Sequence, residues 1–261
     1  MNLRTLAGKA LRSLRGPKYK TPARDADKYR IQGSWMYVDD RDSMQLTKYG
    51  IYGPEQTSFI KSLVKSDYVC LDIGANIGYF TLIMAKQAKL VHAFEPEPRN
   101  FDILQKNIVL NNIQNVTLYN SAVSSEASDR ATLHLCSMNR GMHRLYQSHW
   151  CKEGTVQVQT LRIDDHIQQA DFIKMDIEGA ELGALRGMKK MLESGTTLLM
   201  EFHPPSIVEY GADPGDVYDF MKSLDYSVEI PGRNEDVSLQ ELERIANEKA
   251  GTNILCRRHS S

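Results

Sequence analysis

The chain has 261 residues, 41% of them hydrophobic, and a formal net charge of −1. That length and apolar content suit one α/β domain with a full core, and near-neutrality gives the whole protein no broad electrostatic pull toward nucleic acid or membrane. No apolar run reaches the roughly 18 residues of a membrane span, and the basic N-terminus lacks the long apolar stretch of a secretion signal.

Residues 1–30 differ from the rest. Arg4, Lys9, Arg12, Arg15, Lys18 and Lys20 precede the first acid, Asp25. Leu3, Leu6, Ala7, Ala10, Leu11 and Leu14 recur at helical spacing, and Gly16-Pro17 would end such a helix. Two readings stand: a basic amphipathic helix over 1–16 in peripheral contact with the inner face of a membrane, or a tail that touches nothing. Residues 1–45 are expected to form a basic extension and 46–261 the domain proper. Cys70, Cys136, Cys151 and Cys256 lack metal-ligand spacing; Cys70 and Cys256 fall in apolar strand patterns and read as buried thiols, which suits a reducing cytoplasm.

Gly53-Pro54-Glu55 opens a helix that runs to about Lys65. Glu55, on its first turn, is a candidate contact for a cofactor amine. Residues 69–80, Val-Cys-Leu-Asp-Ile-Gly-Ala-Asn-Ile-Gly-Tyr-Phe, read as a buried strand, a glycine turn and a helix start. Gly74 and Gly78 let the backbone bend and let a ligand approach. The spacing is D-x-G-x-x-x-G, and Asn76 stands where a dinucleotide fingerprint needs its second glycine for the pyrophosphate. A cofactor with an amine and a carboxylate in that place, S-adenosylmethionine (SAM), suits Asp72 better. Ala75, Tyr79 and Phe80 join the expected contacts.

Strand 90–94 follows and ends in Glu95-Pro96, about twenty residues beyond the turn, where an acid can accept both ribose hydroxyls. Helix 97–111 and strand 116–119 continue the alternation. Ser121 and Ala122 are placed beside the adenine. Residues 121–166 break the pattern: 131–135 and 156–159 alternate as half-exposed strands, so an inserted hairpin is expected. Its tip carries Arg140, His143, Arg144 and Trp150, suited to gripping an anionic or sugar-like acceptor.

Strand 171–175 and helix 180–193 come next, then strand 197–202, helix 214–224, strand 226–230, helix 238–247 and strand 252–257. Such alternation argues for a mostly parallel sheet with right-handed crossovers. Lys174, Asp176 and Glu178 end one strand; Glu201 and His203 end the next. An alcohol is a poor nucleophile near neutral pH, so a base or a cation is expected there. His203 or Asp176 as base, and Asp176, Glu178, Glu201 and His203 around a divalent metal, are both open. Lys174 paired with Asp176 as a loop-fixing ion pair is the bland alternative.

These pieces resemble the FkbM family of SAM-dependent methyltransferases. Tyr52-Gly53-Pro54-Glu55, the 71–81 glycine turn, Phe94-Glu95-Pro96, residues 120–124, Lys174-Met175-Asp176-Ile177-Glu178-Gly179-Ala180-Glu181 and Glu201-Phe202-His203 run in family order over roughly 45–257. The resemblance implies a class I methyltransferase Rossmann-like sheet of about seven strands, the two late strands being its final pair. It also implies methylation of a hydroxyl on a sugar, glycan or related natural product. The competing readings are an NAD-linked oxidoreductase, which Asn76 argues against, and a non-catalytic membrane-adsorbed adaptor, which the full set of acids argues against.

Overall fold

The structure, a computed structural model, describes residues 22–137, 139–233, 235–249 and 251–259. The amphipathic segment expected over 1–16 lies outside these residues.

The chain enters through a small antiparallel sheet of β1 (Ala23–Asp25), β2 (Lys28–Ile31) and β3 (Ser34–Tyr37). Two helices follow, α1 (Leu46–Tyr49) and α2 (Pro54–Leu63). Then β4 (Val69–Ile73), α3 (Tyr79–Ala85), β5 (Leu90–Phe94), α4 (Pro98–Leu110) and β6 (Val116–Tyr119) build the first half of the main sheet. The insertion comprises β7 (Ser121–Val123), β8 (Ser128–His134) and β9 (Thr155–Leu161). The second half holds β10 (Phe172–Met175), α5 (Glu181–Gly187), α6 (Lys189–Glu193), β11 (Thr197–Phe202), α7 (Pro204–Tyr210), α8 (Pro214–Ser223), β12 (Tyr226–Glu229), α9 (Leu239–Lys249) and β13 (Thr252–Arg258).

The main sheet has seven strands in the order β12-β13-β11-β10-β4-β5-β6. All pair in parallel except β13, which runs antiparallel to both β11 and β12. This is the expected class I arrangement. Helices cover both faces, so the central strands are apolar on both sides. Period-two alternation divides their side chains: Leu71, Ile73, Leu198 and Met200 pack with Leu185, Met221 and Leu242 on one face. Cys70, Phe172, Leu199 and Leu255 pack with Ile60, Leu82 and Leu104 on the other. Each such side chain fully buried contributes roughly 1.5–3 kcal/mol.

Several details differ from expectation or add to it. The boundary at 45/46 falls inside the folded unit: β3 docks on α4, with Asn107 Oδ1 accepting from Tyr37 N (2.7 Å) and Asn111 Oδ1 from Trp35 N (2.9 Å), while Ile31 and Met36 enter the core. The helix expected over 180–193 is broken into α5 and α6, because Met188 leaves helical geometry. Helix α7 is additional; Pro204 and Pro205 start it. The hairpin β8/β9 forms, and β7 adds to β9 in parallel to make a three-stranded sheet. Cys70 and Cys256 are buried thiols as expected, whereas Cys136 and Cys151 are joined as a disulfide, which a reducing compartment does not predict. No described helix is long and apolar enough to cross a membrane.

Candidate active site

The carboxyl ends of β4, β5, β10 and β11 open into a cavity of about 1080 Å³, counting its mouth. At β4 the chain turns through Gly74 (φ +80°) and Asn76 (φ +51°) before Gly78 (φ +90°) caps α3. The Gly74 and Ala75 amides donate to the Phe94 carbonyl (3.0 and 2.9 Å), which locks the turn against β5. A Cβ at Gly74 would lie 1.9 Å from the Asp176 carbonyl oxygen, so the turn also abuts the loop after β10.

Glu95 ends β5 and lines the cavity. Its Oε2 accepts from Asn76 N (2.8 Å) and its Oε1 from Glu97 N (2.9 Å). Burial pushes its carboxyl up to about 7, against those two hydrogen bonds. Each oxygen keeps a free lone pair, which is what a pair of vicinal hydroxyls needs. Next to it Phe94, stacked on Tyr119 at 4.5 Å, together with Pro96, Ser121, Ala122, Val123 and Leu133, forms a largely apolar wall suited to a planar base. The side-chain oxygen of Asn76 is buried without a partner. Asn76 belongs to the lining of the cavity.

Asp72 departs from expectation. It is fully buried and does not line the cavity. Its Oδ2 accepts from Thr81 Oγ1 (2.6 Å), and its Oδ1 lies 3.7 Å from Lys174 Nζ. Burial raises its pKa and the Lys174 charge opposes that. Asp72 therefore supports Lys174 from behind, because the strand end is roofed by α3. Lys174 reaches the cavity, donates to the Gly74 carbonyl (3.1 Å), sits 5.3 Å from the centre of the Phe80 ring and stands 3.9 Å from Asp176 Oδ2.

Asp176, Glu178 and Glu201 converge at the opposite wall, each offering an oxygen within 4.8 Å of the others. The charge of Asp176, then burial, pushes Glu201 up to about 10. Burial, then Asp176, pushes Glu178 up to about 7, against the Arg144 charge. Glu178 sits in left-handed backbone (φ +57°) followed by Gly179 (φ +104°), a sharp turn that aims it inward. Glu181 stands behind, buried and raised to about 7, accepting from Gly179 N (3.2 Å). Tyr52 closes this end; its phenol is raised by burial and then by Asp176.

The loop after β8 forms the third wall. Arg140 and His143 line the cavity, but Arg140 is committed: its guanidinium meets Asp40 (3.1 Å) and Glu153 (2.8 Å), and its amide donates to Ser43 Oγ (2.9 Å). His143 Nδ1 accepts from Cys136 N (3.0 Å). Arg144 is buried outside the lining and pairs with Glu178 (3.2 Å) and Glu209 (3.0 Å). Trp150 is exposed and tilted against His149, away from the lining residues. Thus Arg140 and Arg144 are held by ion pairs to Asp40, Glu153, Glu178 and Glu209, most of them on other segments and invisible in a local pattern, while Arg140 and His143 still line the cavity.

His203 likewise takes a different task from the expected base. It is the N-cap of α7, its Nδ1 accepting from Ser206 N (3.1 Å) and meeting Ser206 Oγ (2.7 Å), and it does not line the cavity. Glu55 is exposed and Gly78 lies behind the turn; neither lines the cavity. Tyr79 and Phe80 do, packed edge-to-face at 5.0 Å, with the Tyr79 hydroxyl bound to Thr57 (3.0 Å). Ser43, Asn100 and Asn139 also line it without having been expected there. Their only signal is polarity, which loops share.

The methyltransferase FkbM domain model matches residues 72–228. The hexuronic acid methyltransferase AglP of Haloferax volcanii is 29% identical over 183 residues, covering 66% of this chain and 69% of that protein. The 2-O-methyltransferase NoeI of Sinorhizobium fredii is 25% identical over 203 residues, covering 69% and 82%. A crystal structure of methyltransferase FkbM from Methylobacillus flagellatus is 19% identical with a TM-score of 0.47, covering 74% of this chain and 44% of that one.

Proposed function

This chain belongs to the FkbM methyltransferase family, and on that premise we propose that it moves the methyl group of SAM to a hydroxyl of a sugar-containing acceptor. The carrying observation is the pairing of two features across one cavity: Glu95 with two free acceptor sites and three convergent carboxylates opposite. Two relatives whose names specify methylation of a hexuronic acid and 2-O-methylation support the acceptor class.

The residues present fit SAM. Glu95 would accept from the ribose hydroxyls, and Phe94, Ser121, Ala122 and Val123 would flank the adenine. Lys174, braced by Asp72, suits the methionine carboxylate. When bound, SAM supplies an electrophilic methyl. The protein must hold the acceptor oxygen about 3 Å from that carbon, in line, and accept its proton. Asp176 is placed for that: it lines the cavity, remains partly accessible, and is paired with Lys174 at 3.9 Å. Glu178 and Glu201 hold the acceptor's neighbouring hydroxyls. The same three carboxylates have the hard oxygen donors a divalent cation prefers, and such a cation would hold two adjacent hydroxyls and ease proton loss.

Mass spectrometry of glycans and glycolipids from cells with and without the gene tests this reading. A species heavier by one CH2 only where the gene is present is the expected outcome; identical profiles in both contradict it. A chelator arm decides the cation: activity retained in chelator removes it, and activity restored by added divalent metal keeps it.

A further inference from the structure

Away from the cavity, one surface gathers four cations that pair with no described carboxylate. Its hub is Gln32, in the turn between β2 and β3. Lys61 of α2 donates to its Oε1 (2.7 Å), and Lys86, just past α3, donates to its carbonyl (2.8 Å). The Gln32 amide donates to the Gly50 carbonyl (2.9 Å), which brings Lys48 and Tyr49 of α1 to the same place. Arg30 precedes the turn on β2, its guanidinium 6.0 Å from the Trp35 ring centre. The side chains of Arg30, Lys48, Lys61 and Lys86 are exposed. None of them forms an ion pair with a described carboxylate, whereas Lys28 nearby is held by Asp25 at 3.2 Å. The Lys86 ammonium is held below its ordinary value by burial, then by Lys61, then by Arg30, and no acid offsets them. Uncompensated like charge of this kind favours an anionic partner.

We propose that the Arg30–Lys48–Lys61–Lys86 surface seats the protein on an anionic lipid bilayer. Two amphipathic rings flank the cations: Tyr49, 40% exposed, and the half-buried Trp35. Rings with an apolar body and a polar tip suit the headgroup level. A single-stranded nucleic acid would need open ring faces for stacking, but Lys28 and Arg30 cover Trp35 and Lys48 covers Tyr49. In sequence, the residues before β1 include Arg4, Lys9, Arg12, Arg15, Lys18 and Lys20 together with leucines, a mixture that a bilayer can take up and nucleic acid cannot. Lys86 stands at the opposite end of α3 from the glycine turn, so lipid contact leaves the cavity open.

The test is co-sedimentation of the full chain with phosphatidylserine/phosphatidylcholine vesicles and with phosphatidylcholine alone. The comparison protein carries Arg30→Gln, Lys61→Gln and Lys86→Gln, which keep hydrogen-bond donors and remove charge. Wild-type protein should bind only the anionic vesicles, and the triple variant, with residues 1–16 still present, should bind at least tenfold more weakly. SAM titration of both proteins guards against misfolding, and equal affinities are expected. Undiminished vesicle binding by the triple variant overturns the proposal. So does wild-type protein that ignores vesicles but binds single-stranded RNA in a manner the variant loses.

Discussion

Among single residues, the division between Asp176 and His203 is the most consequential. Asp176 faces the cavity, while His203 caps α7. Asp176→Asn should lower turnover about 100-fold or more, as loss of a general base or metal ligand does. His203→Ala should cost about 0.5–2 kcal/mol of stability, as a lost cap does, and leave turnover within a few-fold. Steady-state rates and denaturant unfolding on both variants read this directly, and a reversed ranking would return the base to His203. Buried acids set a pH dependence as well. Glu95 and Glu181 stand near 7 in the fold against an ordinary value of 4.5. Between those values the folded protein holds protons that the unfolded chain has released, so stability is greatest below the lower value and falls as pH rises toward the upper. The melting temperature without cofactor should therefore decline over that window, and Glu95→Gln should remove part of the decline. A wild-type melting temperature that climbs across it contradicts the burial. Sequence made the acids legible but not their roles: Asp72 and Glu95 both end parallel strands, yet α3 roofs only the first, a tertiary fact.

At the scale of elements, the glycine turn and the insertion behave differently. Gly74 has no room for a side chain, since a Cβ would meet the Asp176 carbonyl at 1.9 Å and its φ is +80°. Gly74→Ala should leave little folded protein, or a protein with no measurable SAM affinity; a stable variant that binds SAM normally would mean that the turn and the 176 loop are not in contact. The insertion meets the glycine turn through Gly141, packed near the Asn76 side chain, and Arg140 pins it to Asp40 while pairing within the loop with Glu153. Arg140→Ala should therefore weaken SAM binding severalfold rather than change only acceptor affinity, which calorimetry against SAM distinguishes. The alternation of strands and helices from 68 to 119 and from 171 to 257 was legible because buried parallel strands are short apolar runs bounded by turns. The β1–β3 sheet was not, because its residues are polar and aromatic and its partner, α4, is some seventy residues away. Nor was α7, hidden behind two prolines that look like a turn.

For the whole molecule, the candidate site lies at the carboxyl ends of the central strands, and the cationic patch proposed for lipid lies on a separate surface. The late antiparallel β13, inserted between β11 and β12, completes the class I order and closes the core over α8 and α9. That order follows from resemblance rather than periodicity, since a lone hydrophobic run does not disclose its neighbour or its direction. The central claim is that the cavity takes SAM by its ribose. Isothermal titration of the purified chain with SAM and with NAD, repeated on Glu95→Ala, measures it. Losing the two hydrogen bonds to a charged acceptor costs roughly 1.5–3 kcal/mol, about tenfold or more in affinity. SAM binding by the wild-type chain, no binding of NAD, and at least tenfold weaker SAM binding by a folded Glu95→Ala variant is the predicted result; a variant that binds SAM as tightly as the wild type, or a wild-type chain that prefers NAD, would contradict it.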